Sequence, residues 1–188
     1  MLEPNGKQLT SVQGLENLTK LEFLGLDSNR LTDVKSLENL TKLEFLALSD
    51  NQLTELPKGL EKLTQLKVLY LSENQLTDVK GLENLTQLKR LELGDNKLTD
   101  VKGLENLTQL KALVLSSNQL TDVKGLENLT ELTDLRLNSN KLTDVKGLEN
   151  LTQLGLITLQ NNPDLTKAQI DELQKALPKC KIYHNAKE

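Results

Sequence analysis

Leucine recurs along this chain in one frame, LxxLxLxxNxL, with first positions at Leu21, Leu43, Leu66, Leu88, Leu110, Leu132 and Leu154. The steps between them are 22, 23, 22, 22, 22 and 22 residues, a period that marks a stacked-repeat architecture. Within a unit, Leu88, Leu91 and Leu93 fall on the inward side of a short strand, so Arg90 and Glu92 point outward. The asparagines that close the frame (Asn29, Asn51, Asn74, Asn96, Asn118, Asn140 and Asn162) predict a ladder of amides satisfying turn backbone that burial would leave unpaired. The second half of the unit, LTDVKGLENLTQ, spaces Val79, Leu82 and Leu85 three apart, which predicts 3₁₀ or short helical turns on a thin convex back. The fold class is α/β: one solenoid arc with about eight parallel strands on its concave face.

The ends differ from the middle. Residues 1–20 read as a partial repeat, 21–165 as seven repeats, and 166–188 as a C-terminal helix with a final strand and tail. Pro4 falls where a strand would carry a core leucine, which suits a blunted edge. With no dedicated polar cap visible, this end is expected to be covered by Met1–Gln8, to continue a longer chain, or to associate; the chain is otherwise expected to be a monomer. Thr166 and Gln169 form a capping-box signature, followed by Ala168, Ile170, Leu173 and Leu177 at helical spacing and stopped by Pro178. Leu177, Cys180 and Ile182 then fit the inward strand positions, with Asn185 in the ladder, and Cys180 reads as a small buried hydrophobe. The copy at Leu53–Gln65 carries one extra residue and Pro57, which predicts a local bulge.

Composition narrows the function. A net charge of −4 and a pI near 5.2 argue against nucleic acid or a membrane surface as partner. The single cysteine rules out an internal disulfide, and no signal peptide or membrane-spanning run is visible. A cytoplasmic protein is the default expectation, secreted or surface-exposed if the chain is an excerpt. His184 is the only histidine, and no catalytic triad, metal motif or phosphate loop accompanies it. A non-enzymatic protein without cofactor or metal is expected. The acidic columns (Asp78 and Glu83 in one copy) and the interleaved lysines read as a solvated face. The six NLT triplets, from Asn17 to Asn150, read as by-products of the repeat.

The pattern LxxLxLxxNxLTDVxxLxxLTxL resembles the leucine-rich-repeat family in its short, 22-residue class, and bacterial internalin-like proteins in particular. That resemblance implies a curved right-handed solenoid whose members typically bind other proteins across the concave sheet. The helical N-terminal cap of internalins, a following immunoglobulin-like domain and a wall-sorting tail are not seen in this sequence, so surface anchoring and host-cell adhesion are not expected from it.

Repeat-to-repeat variation supplies the candidate site. TDVKGLENLT stands unchanged in four copies, whereas the outward strand positions change from copy to copy. All four aromatics, Phe23, Phe45, Tyr70 and Tyr183, fall on that face or its edge. Aromatics and arginine are common interface anchors, although strand propensity alone also favours Phe, Val and Tyr. The predicted partner-binding set is Phe23, Phe45, Ala47, Val68 and Tyr70 as an apolar patch, then Val114 among the mixed charges Arg90, Glu92, Asp134 and Arg136, then Lys179, Lys181 and Tyr183. An apolar segment of a partner protein is expected on the first patch and a charged one on the second. Two rivals stay open: a consensus-like scaffold with no evolved partner, and a targeting fragment of a larger enzyme or surface protein.

Overall fold

The computed structural model describes residues 1–187. Its strands are β1 (Phe23–Gly25), β2 (Phe45–Ala47), β3 (Val68–Tyr70), β4 (Arg90–Glu92), β5 (Ala112–Val114), β6 (Asp134–Arg136), β7 (Leu156–Thr158) and β8 (Lys181–Tyr183), with one helix, α1 (Lys167–Ala176), before β8. The strands form one parallel sheet in the order β1 to β8, each paired only with its sequence neighbours. Leu24, Leu46, Leu69, Leu91, Leu113, Leu135 and Ile157 occupy the central register and are 0% exposed. Leu2 continues this column through a single bridge to Leu24, so the N-terminal segment forms the first, partial rung that Pro4 then ends.

The convex wall is built from consecutive tight turns. In one copy the N–H groups of Leu82, Leu85 and Leu88 bond the carbonyls of Val79, Leu82 and Leu85 at 3.2, 2.9 and 3.0 Å. These i to i+3 bonds become 3₁₀ helix at Lys35–Asn39, Leu60–Lys62 and Leu148–Asn150. The extra residue of the third copy is absorbed in this wall: Pro57 is buried, its carbonyl accepts from Leu60, and Leu56 packs partly against the core. The ladder beside it stays in register, Leu46 against Leu69.

The asparagine ladder forms. Asn96 Oδ1 accepts from the Leu76 N–H at 2.9 Å, while its Nδ2 donates to the carbonyls of Leu71, Leu93 and Gly94 at 2.9, 3.1 and 3.2 Å. Each rung thus ties one coil to the coil before it, and no buried side-chain polar atom among the described residues lacks a partner. One residue before each asparagine the backbone is left-handed without glycine: Ser28, Asp50, Glu73, Asp95, Ser117, Ser139 and Asn161 have φ between 52° and 59°. At the C-terminal end the capping box of Thr166 and Gln169 opens α1, and Ile170 and Leu173 are buried over the last coils. Ala168, expected on that apolar stripe, is instead exposed.

Candidate functional site: the concave sheet face

Pairing puts two outward columns on the concave face. The first runs Phe23, Phe45, Val68, Arg90, Ala112, Asp134, Leu156 and Lys181; the second runs Gly25, Ala47, Tyr70, Glu92, Val114, Arg136, Thr158 and Tyr183. The final strand corrects the leucine frame. Ile182, not Cys180, pairs with Ile157, so Lys181 and Tyr183 face outward and Lys179 lies in the turn before the strand. The cause is α1: the Leu177 N–H still bonds Leu173, so Leu177 ends the helix and cannot also open a coil. Cys180 is buried as expected, and burial pushes its thiol up despite a bond from the backbone at Ile157. Asn185, displaced with the strand, is exposed and pairs with Asn161 instead of joining the ladder.

Three of the four aromatic side chains form a continuous row. Phe23 stacks on Phe45 with centroids 4.0 Å apart and planes 4° from parallel, and Phe45 meets Tyr70 edge-on at 5.3 Å and 81°. Ladder spacing of about 4.8 Å brings the rings within stacking range. Arg90 extends the row, its guanidinium carbon 5.8 Å from the Tyr70 centroid. Phe23, Phe45, Val68 and Tyr70 are each half-buried. Ala47, expected to share this surface, is only 1% exposed, because its methyl sits between Gly25 and Tyr70 in the ladder and is too short to reach water.

The charged residues farther along are paired within their own strands. Arg90 Nε and Nη2 donate to one Glu92 oxygen at 2.8 and 2.6 Å, and Arg136 grips both oxygens of Asp134 at 3.2 and 3.1 Å. These hydrogen bonds hold both guanidiniums above even the usual arginine range. Ala112 and Val114 form a low apolar floor between the two pairs. Beyond them Asn138 Oδ1 accepts from Ser116 Oγ at 2.7 Å and Thr158 Oγ1 at 2.9 Å, and Tyr183 stands half exposed at the last strand.

A family model described as "Leucine-rich repeat region" matches residues 2–123, and a second, "Leucine Rich repeats (2 copies)", matches 108–150. The chain belongs to the leucine-rich-repeat family. An internalin of Listeria monocytogenes superposes with a TM-score of 0.75 at 29% identity, over 96% of this chain and 60% of that one. Internalin C2 of the same species gives 0.69 at 32% identity, over 84% and 79% of the two chains. A leucine-rich-repeat protein of Leptospira interrogans gives 0.66 at 27%, over 93% and 58%. The chain therefore spans about 60% of the first of these relatives. No curated protein sequence matches it. Leucine-rich-repeat proteins are generally protein-interaction modules rather than enzymes.

The convex half of this leucine-rich-repeat chain is more than a solvated face. Asp78, Asp100 and Asp122 each accept from the backbone N–H two residues on, at 3.0 Å. Glu83, Glu105 and Glu127 each reach back to the N–H of Gly81, Gly103 and Gly125 at 2.7 Å. Those glycines have φ of 105°, 107° and 100°, a region side chains disfavour. Local spacing held this signal, since Asp-x-Lys and Gly-x-Glu are short side-chain-to-backbone turns. Among the described residues no three His, Cys, Asp or Glu side chains are placed to hold a metal ion.

Proposed function

We propose that the chain is a non-enzymatic recognition module that binds a partner protein across its concave sheet, acting as one unit, with Phe23, Phe45 and Tyr70 as its anchors. The observation that carries this reading is the aromatic row. Three rings on consecutive strands are stacked and part-exposed in a chain whose interior is almost wholly leucine. A solenoid held by leucines and asparagines has no structural need of them, whereas preformed aromatic surfaces bind at low entropic cost. Val68 widens the row, Arg90 extends it, and the paired charges of β4 and β6 favour contacts that fix register over raw affinity. Val114, Lys181 and Tyr183 complete the face toward the far end.

Affinity capture checks the proposal, using wild type, a Phe23→Ala/Phe45→Ala/Tyr70→Ala variant and a convex Lys80→Ala/Lys102→Ala/Lys124→Ala control, each shown to fold by circular dichroism. A protein held by wild type and the convex control and lost by the aromatic variant supports the concave face. Retention by the aromatic variant with loss on the convex control would move recognition to the back and overturn the reading.

A further inference from the structure

The concave face is electrically divided. At the C-terminal ends of the first four strands, successive turns present Asp27, Asp50, Glu73 and Asp95, with Glu3 and Glu22 beside β1. Among the described residues none of these six makes a salt bridge, and all but half-buried Asp27 are exposed. Of the cations in this stretch, Lys67 is engaged with Glu44 at 2.7 Å, Arg90 with Glu92 at 2.6 Å and Lys97 with Gln75 at 3.1 Å, and exposed Arg30 and Lys97 are the two that share the turns with the four carboxylates. Past β4 the same turns carry Ser117, Ser139 and Asn161, which are uncharged. The acidic lip therefore runs alongside the aromatic row and stops where the row stops.

That coincidence selects an occupant. A second copy docked by this same stretch would bring two acidic lips together, and nucleic acid would meet the same repulsion. We infer that the row and its lip form a docking groove for a cationic segment of a partner protein, with apolar side chains on Phe23, Phe45 and Tyr70 and Lys or Arg side chains reaching Asp50, Glu73 and Asp95. The inference rests on the concave-face reading and adds the chemistry of the partner. From β1 to β4 the groove is roughly 14 Å long, the reach of about four extended residues. Asp27 supports it: burial raises its carboxyl above the usual range against the opposing Ser49 N–H, and the charges of Glu92 and Asp50 add to the rise. A cation at the lip relieves that crowding.

Selection from a random peptide display library on the immobilised chain tests the inference. Enriched peptides with Lys or Arg beside Leu or aromatic residues are expected. Their affinity should fall about tenfold or more in an Asp50→Asn/Glu73→Gln/Asp95→Asn variant and steeply with added salt, but hold in the convex Lys102→Ala variant. Neutral or acidic peptides that still need Phe45 would overturn the cationic partner and leave the concave face standing. Peptides indifferent to Phe45→Ala, or no enrichment over blank support, would overturn both. Sedimentation showing salt-sensitive self-association abolished by Lys179→Glu/Lys181→Glu would assign the groove to a second copy and also overturn it.

Discussion

The convex and concave halves of each coil share one period and differ in what their side chains do. On the convex side Asp100, Gly103 and Glu105 each serve the backbone, two as acceptors for turn N–H groups and one by adopting φ of 107°. The four TDVKGLENLT copies need the same service, so their residues repeat. On the concave side the β-ladder already satisfies the backbone, and outward side chains such as Ala112 or Asp134 touch only their neighbours. Repetition in this chain thus records structural duty, and variation records freedom from it.

The comparison breaks first at the rungs that join the halves. Asn96→Ala leaves the buried Leu76 N–H without a partner and takes one of two donors from each of the Leu71, Leu93 and Gly94 carbonyls, and urea unfolding should show a loss of about 3 kcal/mol. Next comes the convex wall. A Cβ at Gly147 would stand 2.6 Å from Glu127 Cγ with φ at 96°, so Gly147→Ala should cost about 2 kcal/mol in the same measurement.

A smaller test sets one carboxylate from each side against the other. Burial works against ionisation of Asp144 on the convex side, but the N–H groups of Lys146 and Val145 and the Lys146 ammonium outweigh it and hold the carboxyl low. Its stabilisation is present above the unfolded value of about 3.9 and is lost as pH falls through the depressed folded value. Asp27 is raised, so its charge weakens the fold at neutral pH, and that penalty fades as pH falls through the raised value. Asp144→Asn should therefore destabilise at pH 7 and Asp27→Asn should stabilise, with both differences shrinking toward acid in pH-dependent denaturation. The smallest effect belongs to the free face: Arg136→Ala, an exposed member of a surface pair, should shift stability by no more than about 0.5 kcal/mol.

The leucine and asparagine spacing made the strands and the ladder legible, and Thr166 three residues before Gln169 the capping box, because burial and amide geometry leave few substitutes at those positions. It was blind where a residue acts through conformation or reach. Nothing in Asp50 or Glu73 advertises a left-handed backbone, since the ladder imposes it. Ala47 carried the outward parity of a site residue but not the length to leave the surface. Lys179 was misplaced because α1 consumed Leu177, which local spacing had assigned to the last strand. The aromatic column was legible from parity alone, whereas its stacking and the internal pairing of Arg90 with Glu92 depend on rotamers that spacing does not encode.

Strands bonded only to sequence neighbours make the molecule a zip with one sewn end. At one extremity Leu2 is held by backbone bonds of 3.1 and 2.8 Å to Phe23 and Gly25; at the other, α1 seats Ile170 and Leu173 in the core. Under tension along the stack, rupture begins at Leu2 and proceeds rung by rung. Each 22-residue coil released pays out about 75 Å of chain, a regular sawtooth in a single-molecule pulling trace.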